Sequence, residues 1–194
     1  MQPLSSARAP LAWPWLVLVL AAAALYLLGL GSPYAPTNGD EMVYIHIARM
    51  TSEAGQWLPL QSELLGTRNT KPPLLIWQAM VAGNWGDNWH LFALRLPSVA
   101  YTLATTALLA WFTRRISGQW RTALIAAALY LLYFSSFRYG RAYLTSAPET
   151  FWLALPMWWV LHLRLRPASR FSEAPSGPGW LTYTLFGVVM GLGA

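Results

Sequence analysis

Cysteine is absent from the 194 residues. Disulfides, thiolate nucleophiles and Cys-ligated metals are therefore excluded, and the redox compartment stays open. Histidine is scarce: His46, His90 and His162 are the only three. That gives a divalent metal site weak support, and none is assigned. Charge is scarce too, at 10% against ~25% in average soluble domains. With 56% hydrophobic residues and a mean hydropathy of +0.37, the chain does not read as a water-soluble single domain or as disordered. A net charge of +6 could mark a nucleic-acid binder, but here the charges form short clusters between apolar runs. No nucleic-acid partner is expected. Internal repeats, a P-loop, a dinucleotide fingerprint and a Ser/His/Asp arrangement are all lacking. Tryptophan is in excess, with twelve residues, and it favours membrane–water interfaces.

A helix that spans a bilayer needs ~20 mostly apolar residues. Residues 11–30 form the first such run. Residues 95–113, 121–138 and 144–163 supply three more, the third needing Arg121 and Arg138 to snorkel outward at its ends. Residues 180–194 look like a fifth span cut short. The fold class is thus an all-α integral membrane protein of about five transmembrane helices. An N-terminal signal peptide is the alternative for the first run, but its apolar stretch continues past Ala22-Ala23-Ala24, which favours an uncleaved anchor. Arg8, Arg114, Arg115, Arg121, Arg164, Arg166 and Arg170 fall on one side if the spans alternate. That side is cytoplasmic, with the N-terminus, and residues 31–94 lie outside. Residues 164–179, rich in Pro, Ser and Gly, read as a cytoplasmic linker.

The outer segment holds five of the seven acidic residues (Asp40, Glu41, Glu53, Glu63 and Asp87) and the only lysine, Lys71. It is too long for a plain connector. Two interfacial helices are expected in it. The first runs over about Gly39–Ala54, with Asn38 as N-cap and Glu41 three residues on. Val43, Ile47, Met50 and Ala54 form its apolar stripe, and His46, Arg49 and Glu53 a polar face. Asp40 and Glu41 sit in its first turn, where the dipole favours carboxylates. The second helix, Pro72–Gly86, is too short to span. Lys71 sets an ammonium beside its positive end, an arrangement that suits a phosphate. Capping and headgroup anchoring are the plain alternatives for these charges. Arg138 and Arg141 flank the outer turn before the fourth span, which opens with Thr145-Ser146-Ala147-Pro148-Glu149.

The order Asp40-Glu41-x-x-Tyr44, Gly55-Gln56-Trp57, Lys71-Pro72-Pro73-Leu74 with Trp77, and Arg95-Leu96-Pro97-Ser98 resembles a known family. This is the N-terminal part of the polytopic, lipid-dependent glycosyltransferases, which include the aminoarabinose transferases of lipid A and the protein O-mannosyltransferases. The resemblance implies ten or more transmembrane helices in the complete protein. It also implies a polyprenyl-phosphate sugar donor, a lipid, glycan or protein acceptor, and transfer on the outer face of a bacterial inner membrane. Asp40 is then the catalytic carboxylate, and Glu41 supports it or binds acceptor. Lys71 contacts the donor phosphate, joined by Arg138 and Arg141, while Tyr44, Ser146 and Glu149 support the site. The chemistry is coherent, because displacement of a lipid phosphate needs a carboxylate for the acceptor and cations for the leaving group.

Three positions depart from the family pattern. Ser146 stands where many members have a second Asp, and Thr70 and Val43 stand where the aminoarabinose transferases have Glu and Arg. These departures favour another sugar or acceptor. A transporter or flippase of lipid-linked sugars would need ionisable groups within its spans, and here they gather on the outer loop. A binding-only member is the remaining alternative.

Overall fold

The computed structural model describes residues 12–33, 39–62, 73–164 and 180–193, all of whose regular structure is helical. The helices are α1 (Trp13–Leu25), α2 (Gly39–Glu53), α3 (Pro73–Ala82), α4 (Leu91–Ser117), α5 (Trp120–Leu132), α6 (Phe134–Tyr139), α7 (Ser146–Arg164) and α8 (Trp180–Gly193). Among the described residues, α4 alone is long and apolar enough to cross a membrane. Helices α1, α3 and α5 are apolar but shorter. Helix α1 carries large apolar side chains on its surface: Leu16, Val17, Leu20 and Leu25 all lie exposed along it.

The boundaries differ from expectation in instructive ways. The run expected over 11–30 is helical for Trp13–Leu25 and then continues as turns. The helix expected to begin at Arg95 begins at Leu91, four residues earlier. A buried partner neutralises the Arg95 charge, so that charge does not mark an end. At the far end Gly118, with φ 71°, supplies the left-handed cap that stops the helix. The run 121–138 breaks at Tyr133, whose backbone is extended, giving α5 and α6.

Helix α4 packs on α5, α7 and α3, and α1 packs on α5. Tyr26 Oη donates to the Leu131 carbonyl at 2.9 Å, joining the C-terminal ends of α1 and α5. Those two helices therefore run the same way. Tyr101 and Trp152 meet in the first halves of α4 and α7, and Trp111 and His162 meet ten residues further along both. So α4 and α7 run parallel to each other, and one end of the bundle collects the ends of α1 and α5 and the starts of α4 and α7.

Helices α2 and α3 cover that end. Helix α2 buries Glu41, Tyr44, Ile47, Ala48, Thr51 and Ser52. This face is rotated from the expected Val43–Ile47–Met50 stripe, and Val43 is exposed. The tight contact with α3, through Leu75, Ile76, Ala79 and Met80, selects the side bearing Ala48 and Thr51. Small residues there let the two helices approach closely. The expected second helix ends early, at Ala82, followed by a 3₁₀ turn Asn84–Gly86 in which Asn84 and Trp85 take positive φ. Asn84 Nδ2 donates to Asp87 Oδ2 at 2.9 Å within this turn. Trp77 Nε1 donates to the Trp57 carbonyl at 3.0 Å, tying the segment after α2 on to α3. Asn38, the expected N-cap, and residues 165–179 of the expected linker lie outside the described residues.

Candidate active site

The covered end of the bundle is organised by one ion pair. Arg95 Nε donates to Glu41 Oε1 at 2.6 Å and Arg95 Nη2 to Oε2 at 2.9 Å, a two-pronged fit of guanidinium to carboxylate. Glu41 is 0% exposed and Arg95 2%. Glu41 Oε1 also accepts the backbone N–H of Tyr143 at 2.9 Å. Arg95 Nη1 donates to the carbonyls of Leu30 and Ser32, at 2.9 and 3.2 Å. A buried charge pair is stable only when most of its remaining hydrogen-bonding capacity is met, and here Arg95 makes two further bonds and Glu41 one. Four separate segments are fixed by these bonds: the end of the α1 region, the first turn of α2, the start of α4 and the turn before α7.

The sequence reading singled out Glu41 but not Arg95, which it saw as part of the motif that opens a span. The available signal was a lone arginine set in the apolar pattern Leu91–Leu96. Such a residue in an apolar helix calls for a carboxylate partner.

Asp40 adjoins this knot and differs from Glu41 in being exposed. It sits in the first turn of α2, whose dipole favours a negative charge. Tyr44, one turn on, is buried, with its ring edge-on to Tyr143 at 6.5 Å. Tyr143 Oη donates to the Leu75 carbonyl at 3.0 Å. Burial, then the neighbouring Tyr44 and the Glu41 carboxylate, push the Tyr143 phenol well above its ordinary range. It stays protonated and serves as a fixed donor.

Arg141 is half-buried, donates through Nη2 to the Leu28 carbonyl, and lies 4.9 Å from the centre of the Phe137 ring. Burial, then repulsion from Arg95, lower its pKa. Arg141 stands two residues before Tyr143, whose N–H joins the knot, and it is a cation that an anion would relieve. Arg138 is exposed and stacks over Tyr139 at 5.6 Å. Ser146 and Glu149 are half-buried in the first turn of α7. Lys71 lies outside the described residues; among the expected site residues Glu41 and Tyr44 both meet Tyr143, and Arg141 stands in the same turn. Among the described residues no three His, Asp or Glu side chains gather as a metal site would require.

The family model for dolichyl-phosphate-mannose-protein mannosyltransferase matches residues 34–194. An undecaprenyl phosphate-alpha-4-amino-4-deoxy-L-arabinose arabinosyl transferase of Pectobacterium atrosepticum is 31% identical over 144 residues, covering 71% of this chain and 24% of the relative. Enzymes of the same name from Pectobacterium carotovorum and Pseudomonas paraeruginosa are 27% and 29% identical, covering 91% and 92% of this chain and 30% and 31% of theirs. The chain thus spans about a quarter to a third of these relatives' length. No solved structure matches. Since the family match covers most of the chain, Glu41, Arg95 and Tyr143 included, the chain belongs to the dolichyl-phosphate-mannose-protein mannosyltransferase family of lipid-dependent membrane glycosyltransferases.

Proposed function

We propose that this chain contributes the catalytic carboxylate and part of the phosphate-binding surface of a glycosyltransferase that moves a sugar from a polyprenyl-phosphate donor to a lipid, glycan or protein acceptor. Five spans, an outward-facing site and a bacterial inner membrane location belong to the same reading. The observation that carries it is the buried Glu41–Arg95 pair, which holds an exposed acid, Asp40, next to a turn bearing Arg141.

In this reading Asp40 accepts the proton of a hydroxyl acceptor as its oxygen attacks the anomeric carbon. The bond from that carbon to the phosphate oxygen breaks, and the electron pair leaves with the polyprenyl phosphate. Lys71, Arg138 and Arg141 stabilise the charge that develops there. Glu41, buried with both carboxylate oxygens engaged inside the fold, is a positioning residue, as is Tyr44. The test is Asp40→Asn in the full-length parent, with transfer from an undecaprenyl-phosphate sugar as the readout. Loss of a general base should lower kcat by about 10²–10⁴-fold. Near-normal turnover overturns the assignment.

A further inference from the structure

The end of α4 remote from the Glu41–Arg95 knot opens on a groove of about 620 Å³. Ala107, Ala110, Trp111, Arg114, Arg115 and Gly118 line it from α4 and its cap, and Trp120 lines it from the start of α5. The spacing i, i+3, i+4, i+7, i+8 and i+11 is that of one helix face. From Ala107 to Gly118 that face rises about 16 Å. It is divided along its length. Toward the middle of α4, Ala107 and Ala110 give an apolar floor with no side chain beyond Cβ. Toward the end, two guanidinium groups stand with two exposed indoles, Trp111 and Trp120. His162 of α7 braces Trp111, their ring centres 5.2 Å apart.

The cations in this groove lack a protein counter-charge. Arg114 donates one N–H to the Gly118 carbonyl and lies over the Trp120 ring, which leaves four of the five N–H groups of a guanidinium. Arg115 is exposed, with no hydrogen-bond or ion-pair partner among the described residues. Every described acid lies elsewhere, on α2, in the turn before α4 or in the first turn of α7. The helix dipole favours cations in the last turn of α4 but supplies no oxyanion for them to bond. A phospholipid carries the matching division, an anionic phosphate at one end and hydrocarbon at the other.

We propose that this groove seats one anionic phospholipid of the surrounding bilayer. Its headgroup phosphate bonds Arg114 and Arg115, and one acyl chain runs along Ala110 and Ala107. Trp111 and Trp120 lie at the depth of the glycerol, where indoles are at home. The net charge of the headgroup decides the selectivity: a zwitterionic lipid would bring its own ammonium up to two guanidinium groups, whereas an anionic one brings none or carries a surplus acid. A protein helix suits the groove less well, because it would cover Arg115 without giving it a carboxylate. The assignment rests on α4 crossing the bilayer and not on the transferase reading, whose residues gather at the other end of that helix.

The experiment measures equilibrium binding of dioleoylphosphatidylglycerol, dioleoylphosphatidylcholine and undecaprenyl phosphate to the full-length parent in an uncharged detergent. Phosphatidylglycerol should bind saturably and more tightly than phosphatidylcholine. Arg115→Ala removes a side chain with no partner in the fold, and should weaken phosphatidylglycerol by roughly fivefold, the scale for one basic residue against anionic lipid. Arg114→Ala/Arg115→Ala should weaken it by roughly thirtyfold and leave undecaprenyl phosphate unchanged. Ala107→Phe fills the exposed floor of the groove without altering charge, and should also weaken phosphatidylglycerol. Equal affinity for the two phospholipids, no saturable binding, or unchanged phosphatidylglycerol binding in the arginine variants would each overturn the proposal. So would indifference to Ala107→Phe, which would leave charge without a groove, or an equal loss of undecaprenyl phosphate, which would give the site to the donor. Because no turnover is measured, a failure of the Asp40 assignment would show in the transfer assay alone.

Discussion

Arginine occurs at both ends of α4 under opposite conditions. Arg95 is buried to 2% exposure and uses Nε, Nη1 and Nη2 on one carboxylate and two carbonyls. Arg114, nineteen residues on, donates to the Gly118 carbonyl at 3.1 Å and stacks over Trp120 at 4.4 Å, with exposed Arg115 beside it. Nineteen residues of helix rise about 28 Å, close to the ~30 Å of a hydrocarbon core. Both ends thus suit a membrane boundary, yet they do different work. At the exposed end a ring and a carbonyl suffice, because water or headgroups serve the rest of the guanidinium. At the covered end water is excluded, so the charge is tolerable only with a full complement of partners. Meeting that requirement draws four segments together, and this is what positions Asp40.

The comparison breaks most visibly if the covered arginine is removed. Arg95→Ala leaves the Glu41 carboxylate buried without a partner and should cost about 3–5 kcal/mol. It would be read as a lowered denaturation midpoint of the full-length protein in detergent. Replacing both partners, as Glu41→Leu/Arg95→Met, should restore much of that stability while transfer stays impaired, because the apolar pair cannot hold the Tyr143 N–H or the Leu30 and Ser32 carbonyls. Full recovery of transfer would show that the ion pair has no positioning role. Arg95→Lys keeps the charge but not the fork, and a loss of about 1–3 kcal/mol is expected in the same measurement. Arg114→Ala should cost about 1 kcal/mol, the scale of a partly solvated cation over a ring. Smallest of all, Glu53→Ala removes the exposed Arg49–Glu53 pair at 3.3 Å and should shift stability by less than about 0.5 kcal/mol. An Arg114→Ala effect as large as that of Arg95→Ala would erase the distinction between the two ends.

Much of the local structure was legible in the chain. The cluster Gly39-Asp40-Glu41 ahead of an amphipathic run foretold α2 nearly to its last residue, Glu53. Which face of α2 would be buried was not legible: Val43 and Tyr44 are both apolar, and only contact with α3 favours one side. The break at Tyr133 carries no Gly or Pro to announce it. The candidate site was half legible. Asp40, Glu41 and Arg141 stand out as charges in an apolar chain, but Arg95 is 54 residues from Glu41, and nothing local says that the two meet.

Composition and hydrophobic pattern alone settled that the chain is helical and apolar, because those properties come from short-range periodicity and the scarcity of charge. Tertiary structure alone decided which acid is sealed away and which is left exposed. Asp40 and Glu41 are adjacent and chemically alike, and their fates diverge because successive helical side chains point about 100° apart. One of them faces the buried guanidinium, and the other faces out.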